Sequence, residues 1–506
     1  MTARSVIVIG GGTNGLACAH RLATAGRRVT VLEAAPAMGG GAAAAEFHPG
    51  HVAPALAHLV TGLDPRVSAA MALARHGLAL SAPLPTTVLA ADGAHRTIAA
   101  EGGGASGPDA AAWAALHRRL AAHARALAPF RLLPPPRLSR PAPGEALTLA
   151  RLALGLRRTG REAFRDLLRL LLINVADVAE DELSDDLLRG ALAFDATLGS
   201  RLGPRSPNSL ILYLDRLAAG GTAHWPQGGM ASVAQAMTRA CAAAGVTLRT
   251  GARVRRITVT GDRAAGVELA SGEMLAADLV VSAIGPRSTF RSLVGPAPLD
   301  AGFFRDAGHI RSRGAAAKLH LALTGMPDFR GADPRARLLV APSVDAVETA
   351  FNPVKYGEVP DRPVMEIVLP SAHEPGHAPE GRHTLSAILQ YAPHDPPDRE
   401  AARARMLAGA LAVLEDHAPG LGALVAHAEL LMPWDIEDRF GMEGGNWHHG
   451  ELAVERMLFL RPLPDCARYS TPLPGLWLAG AGSHPGGGIT GTPGWNAAAR
   501  IIETGA

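Results

Sequence analysis

The chain has 506 residues, 48% hydrophobic and 19% charged, so it carries ample material for a packed core and is not a disordered polymer. Its net charge is only +3, and no basic run carries interleaved aromatics, which excludes the footprint of a nucleic-acid binder. Three well-separated cysteines, Cys18, Cys241 and Cys466, contain no CxxC, which fits a reducing, cytoplasmic compartment and spells out neither a dithiol centre nor a zinc site.

The first strand is expected at Val6–Ile9, almost at the start, so no signal peptide is expected ahead of it. Gly10, Gly12 and Gly15 follow as GxGxxG, then a helix over Leu16–Ala25 and a second strand over Val29–Leu32 that ends on Glu33. This is the start of a dinucleotide-binding βαβ unit. The first glycine makes the tight turn, the second admits a pyrophosphate to the backbone, and the third lets helix and strand pack closely. The helix N-terminus offers free N–H groups to the phosphates, and Glu33 stands where a carboxylate accepts from ribose hydroxyls. GxGxxG occurs twice more, at Gly102-Gly104-Gly107 and Gly486-Gly488-Gly491. The middle copy follows a hairpin and has no strand with a terminal acid after it, so it reads as a loop. A second glycine pair, Gly39-Gly40, stands shortly after Glu33.

Residues 60–215 read as largely helical. Pro108 stands at an expected first helical position ahead of "AAAWAALHRRLAAHARALAPF", and "PPPRLSRPAPGE" is a proline-rich connector. Arg161–Val178 is amphipathic, with Arg161, Arg165 and Arg169 among leucines. It reads either as a core-facing helix or as one lying on a membrane surface. No uncharged apolar run reaches the ~18 residues a membrane span needs. From Trp225 a glycine turn and a helix lead into strands at Arg253–Val259, Gly266–Leu269 and Leu279–Ile284. Ala315–Leu323 alternates, and spacing alone puts Lys318 on a solvent face. Lys318 and Lys355 are the only lysines. A glycine-rich stretch, "GAGSHPGGGITGTPGWNAAA", lies near the end of the chain.

Together these pieces resemble the phytoene-dehydrogenase-like FAD-dependent oxidoreductases of the flavin amine oxidase and carotenoid desaturase superfamily. More narrowly, they resemble the branch of pyridine nucleotide-disulphide oxidoreductase domain proteins. The carrying stretches are "VIVIGGGTNGLACAHRLATAGRRVTVLEA", "WPQGGM", "LVVSAIGPRSTFRSLV", "GGNWHHGEL", "FLRPLP" and "GLWLAGAGSHPGGGITGTPGWNAA". The resemblance implies an α/β fold: a Rossmann-like, glutathione-reductase-like FAD-binding domain with an interleaved α+β substrate domain. The first would comprise 1–60, 220–290 and 465–506; the second, with a helical cap, 61–219 and 291–464.

Carried over residue by residue, it implies that Gly10, Gly12, Thr13, Asn14 and Gly15 hold the FAD pyrophosphate, and Glu33 and Ala34 the adenosine ribose. Gly39 and Gly40 would line the ribitol side, and Val254 would touch the adenine through its backbone. Ala481 to Gly488 would wrap the isoalloxazine end, with Gly482, Ser483, Gly487, Gly488 and Ile489 as cofactor-binding candidates, and the helix from about Gly491 to Glu503 would aim its positive end at the flavin N1–C2=O edge. The stretch departs from the amine oxidase pattern: no arginine flanks the glycines of "AMGGGAA", and 480–499 holds no cysteine for a covalent flavin bond. Non-covalent FAD is expected, with His484 as a secondary candidate for attachment. No second nucleotide unit argues for tightly bound NAD(P)H.

Lys318 is the first catalytic candidate, because its strand resembles the amine oxidase strand whose lysine reaches flavin N5 through water. His448, His449 and Glu451 follow as a packed or flavin-proximal polar cluster without the spacing of a metal site, and His58 as a histidine facing either core or cavity. Three functions compete. One dehydrogenates, saturates or isomerises a hydrophobic isoprenoid, polyene or lipid. One is an amine oxidase-like enzyme passing electrons to oxygen. One is a non-catalytic flavoprotein. With aromatics at 4%, an amine-holding aromatic cage is disfavoured, which weighs for the first. A hydrophobic small molecule and peripheral contact with the inner membrane are the expected partners.

Overall fold

Ser5–Ile9 is nearly all apolar because it forms an inner strand of a parallel sheet covered on both faces. The computed structural model describes residues 4–136, 143–158 and 160–506. The sheet has five strands, in the order Leu476–Leu478, Leu279–Ser282, Ser5–Ile9, Arg28–Leu32 and Thr247–Arg249, with every neighbouring pair parallel. Val6 and Val8 point to one face, where the helices Thr13–Thr24, Ala231–Ala243 and Thr492–Glu503 pack through small residues such as Ala17, Ala236 and Ala498. Ile7 and Ile9 point to the other, against a smaller sheet of Val254–Thr260, Arg263–Leu269 and Met274–Ala276. This is the Rossmann-like layer expected from the βαβ start, and the chain enters it at both ends and in the middle.

A second, mixed sheet has seven strands, in the order Val425–Leu431, Ala316–Leu323, His383–Gln390, Val364–Val368, Arg337–Val340, Thr86–Leu89 and His95–Ile98. One face carries Leu319, Leu321, Met365, Ile367 and Leu385 onto Met406, Ala410 and Leu414 of the helix Arg399–His417. The opposite face lies partly beneath the helices Val175–Glu182, Asp186–Thr197 and Leu210–Ala218. The hairpin Ala44–His48/His51–Pro54 also packs there, its second strand against His383–Gln390.

Local chemistry moves three expected boundaries. The helix expected from Pro108 begins at Ala110, because Asp109 occupies the cap position, with its carboxylate accepting from Ser184 Oγ at 2.7 Å and Asp185 N at 2.6 Å. The helix expected over Arg161–Val178 is two, Arg161–Leu172 and Val175–Glu182. Asn174 breaks it: its side chain accepts from Asp177 N at 2.8 Å, an N-cap inside what periodicity reads as one helix. Half of the proline-rich connector, 137–142, lies outside the described residues, and Pro143 already opens the helix Pro143–Arg158.

The amphipathic segment presents a buried side and an exposed one. Leu167 and Leu170 are buried, whereas Phe164, Leu168 and Leu172 are exposed, and Leu147 and Leu154 of the preceding helix are exposed as well. Among the described residues no helix is long and apolar enough to cross a membrane.

Candidate active site

The two glycine runs near the N-terminus meet. Gly12 bridges to Gly39, Gly39 N donates to Gly11 O at 2.9 Å, and a Cβ added to Gly40 would stand 3.2 Å from Gly12 Cα. Gly15 has no room at all, since its Cβ would stand 2.0 Å from Gly10 O. The Glu33 carboxylate is held by two backbone donors, Gly11 N at 2.7 Å and Ala35 N at 2.8 Å, which leaves lone pairs for further donors such as ribose hydroxyls. Ala34 is exposed beside it. The returning chain closes this end: Ala252 N donates to Glu33 O and Gly251 N to Ala35 O, which brings half-buried Val254 alongside.

The C-terminal glycine stretch comes to the same place. A Cβ on Gly494 would stand 1.8 Å from Asn14 O, so the helices Thr13–Thr24 and Thr492–Glu503 touch near their N-terminal ends. Those ends carry the positive dipole ends that suit phosphate and an electron-rich ring edge. Ile489 lies against Gly41, and Met442 meets it there. Gly488 faces solvent and Ser483 is buried. A side chain on Gly487 would run into His448, and one on Gly482 into Pro286 and His449 O. Asn14 Oδ1 is buried without a partner. So is His448 Nδ1, which carries the proton because Trp447 Nε1 donates to His448 Nε2 at 3.0 Å. Bare backbone from three parts of the chain, with unpartnered buried donors and acceptors beside it, fits the expected FAD.

Burial first, then the charge of Arg461, pushes His448 down to about 3 and His449 to about 4, so both rings are neutral at working pH. His484 is buried and donates from Nε2 to Phe130 O at 2.7 Å. Glu451 leaves the expected cluster. Its carboxylate pairs with Arg311 at 3.3 Å and Arg313 at 3.2 Å, because its backbone docks on Arg311 O and turns it toward those arginines.

Lys318 is fully buried, not on a solvent face. Its strand is interior to the seven-stranded sheet, and the face that alternation marks as polar is covered by residues remote in sequence: Phe47 lies over His320, and His58 over Lys318. A chain of buried polar groups starts here. Lys318 Nζ donates to His58 Nδ1 at 3.0 Å, and His58 Nε2 donates to Glu366 Oε1 at 2.6 Å. Glu366 Oε2 accepts from Arg337 Nε at 2.8 Å, Arg337 Nη2 reaches Asp195 Oδ1 at 2.5 Å, and Asp195 accepts from Arg216 at 2.8 Å.

Burial pushes Lys318 down to about 7, with the charge of Glu366 opposing part of the fall. Burial, and then the charge of Lys318, pushes His58 to about 4. Burial alone would raise Glu366, yet the charge of Arg337 holds it well below the carboxylate range. The resulting state is an ionised Glu366, a neutral His58 fixed in one tautomer, and a lysine that gains and loses its proton near neutral pH. A cavity of about 320 Å³ opens at the far end of the chain, where Asp195, Arg216 and Arg337 meet apolar walls of Leu84, Ile98 and Trp113.

Glu366, Arg337 and Asp195 escape a reading of motifs. The available signal is an ionisable residue inside an apolar strand, Glu366 in "VMEIV" and Arg337 in "RLLV"; such a residue requires a buried partner.

Comparison with known proteins points to the same fold and cofactor. The model of the family described as flavin containing amine oxidoreductase matches residues 15–502. The chain is 27% identical to pyridine nucleotide-disulfide oxidoreductase domain-containing protein 2 of Rattus norvegicus, over 98% of this chain and 93% of that one. It is 30% identical to a neurosporene-forming phytoene desaturase of Cereibacter sphaeroides, over 62% of this chain and 60% of that one. An oxidoreductase from Methanosarcina mazei shares the fold, with a TM-score of 0.64 at 19% identity, covering 99% of this chain and 100% of that one. With a family match spanning nearly its whole length, the chain belongs to the flavin containing amine oxidoreductases and is an FAD-dependent oxidoreductase.

Proposed function

We propose that this oxidoreductase dehydrogenates, saturates or isomerises a hydrophobic isoprenoid, polyene or lipid-like substrate, with non-covalent FAD held between the three glycine stretches. FAD supplies the hydride acceptor, at N5. The observation that carries the reading is the buried sequence Lys318–His58–Glu366. Forming a C=C bond removes a hydride from one carbon and a proton from its neighbour. With bound FAD as the hydride acceptor, the proton would still need an acceptor in a dry site. A lysine held near neutral pKa by burial is such an acceptor, and His58, locked by Glu366, presents the lone pair that orients it. Run backwards, the same amine returns a proton for saturation; taking and returning it serves isomerisation. Turnover would require an external electron acceptor for dehydrogenation and an external electron donor for saturation.

The hydrophobic substrate is supported by the rings near the site. Among the described residues no two tyrosine, tryptophan or phenylalanine rings face each other beside Lys318; the pairs Phe290–Phe303 and Phe351–Tyr391 lie in separate cores. The relative named as a phytoene desaturase points the same way. The family description keeps a second reading open, oxidation of a C–N bond with oxygen as acceptor. Purified protein is expected to show a flavin spectrum, with the flavin released into the supernatant on acid precipitation. Anaerobic mixing with a polyene in detergent micelles is expected to bleach the flavin band, and mixing with alkyl amines to leave it. Bleaching by amines alone would move the reading to the second, and a protein that stays colourless with added FAD would remove both.

Peripheral membrane contact belongs to the same proposal. Phe164, Leu168 and Leu172 stand exposed on a helix that also carries Arg161, Arg165 and Arg169, the pattern of an in-plane amphipathic helix. Co-sedimentation with anionic vesicles at low ionic strength is expected, with release by salt. A protein that stays in the supernatant at low salt does not dock this way.

A further inference from the structure

Arg461, whose charge depresses His448 and His449, lies in the "FLRPLP" stretch. It is one of the largest fully buried side chains. Its hydrogen bonds all go to backbone carbonyls: His448 O and Ala481 O at 2.8 Å, Glu451 O at 3.4 Å, and Gly450 O and Arg456 O at 3.5 Å. Among the described residues no carboxylate pairs with it. Asp215, the acid whose field supports it, is itself engaged by Arg131. Its Nε is buried without a partner, close to Gly486. A guanidinium in this position is a permanent charge in a low dielectric, which is costly unless a negative group comes to it. Carbonyl dipoles offset part of that cost and hold the cation in place; they do not neutralise it. The same contacts tie the loop of His448 to the loop of Ala481, the two loops that flank the expected isoalloxazine.

We propose that Arg461 is a positioning residue that strands a positive charge behind the Ala481–Gly488 loop as the fixed counter-cation of the bound flavin, favouring its anionic reduced form. The proposal rests on the placement of the isoalloxazine against that loop. A cation there lowers the free energy of the reduced, negatively charged ring more than that of the neutral oxidised ring, so its removal shifts the reduction equilibrium. A role limited to tying loops together would alter stability and flavin retention and leave the potential where it was.

The test is the midpoint potential of the flavin in the FAD-loaded protein, read with melting temperature and flavin content. Arg461→Gln keeps donors for the carbonyls and drops the charge. It is expected to shift the equilibrium toward oxidised flavin by about tenfold or more, which is about 30 mV for a two-electron couple. Arg461→Lys is expected to match wild type near about pH 6 and to fall toward the glutamine variant by about pH 9, because a buried ammonium gives up its proton where a guanidinium does not. If the glutamine variant does not fold or does not retain flavin, the lysine variant carries the test alone. An unmoved potential in a folded, loaded glutamine variant, or a lysine variant that tracks wild type throughout, overturns the role of Arg461. A wild-type chain that holds no flavin overturns the placement as well.

Discussion

Lys318→Met slows flavin reduction by substrate by an order of magnitude or more, with the protein folded and FAD bound. Methionine fills most of the space of lysine without its charge or its proton-accepting amine. The loss falls on the chemical step, so it appears in the single-turnover rate rather than in substrate affinity. In wild type the rate rises as pH increases through about 7, because the acceptor is the neutral amine and burial places its titration there. The variant lacks that limb. A variant that reduces at the wild-type rate with the wild-type pH profile would remove Lys318 from the mechanism. Glu366 is a poorer probe, since loss of its charge leaves Arg337 buried beside it with one carboxylate fewer, at a cost of roughly 3–5 kcal/mol.

Stability supplies an independent sign. Folded Lys318 releases its proton at about 7, and the unfolded chain at the ordinary value of 10.5. Between those values the unfolded state binds one proton more, so wild-type stability from this group rises with pH. The methionine variant pays no such penalty. Its stability advantage is therefore largest below pH 7 and shrinks as pH climbs toward 10.5.

The same residue shows where sequence reading stops. The strand around Lys318 is legible from its alternation; which face meets solvent is not, because the cover comes from Phe47 and His58, far away in the chain. Period two states that two faces differ. It does not state that one is wet. The glycine ends are legible for the opposite reason. Gly15 and Gly494 are dictated by contacts shorter than any side chain allows, so they leave a mark in composition that survives without knowledge of the partner. Charged members of buried networks lie between these cases. Arg337 and Glu366 stand out in their strands, yet nothing local pairs them with His58 or Asp195. Arg461 is visible only as part of a motif, since its partners are carbonyls, which every residue has.

Gly494→Ala should cost the protein its cofactor. The added Cβ would stand 1.8 Å from Asn14 O, in the first turn of the opposing helix, and neither backbone can give way by a rotamer change. Thr492–Glu503 and Thr13–Thr24 must separate by more than an ångström, in a layer where both helices are buried in one core. Overpacking of this kind costs about 1–3 kcal/mol, and more where backbone meets backbone. The global cost matters less than its location. The helix ends that separate are the two expected to face the pyrophosphate and the flavin edge, and binding that relies on both at once is lost steeply with small displacements. We expect FAD affinity to fall at least tenfold and the melting temperature to drop by several degrees. Gly376→Ala is the control, because a Cβ there meets nothing within 4 Å and its effect should be near zero. Wild-type flavin content and melting temperature in the Gly494 variant would mean that the contact between these helices is not what shapes the cofactor site.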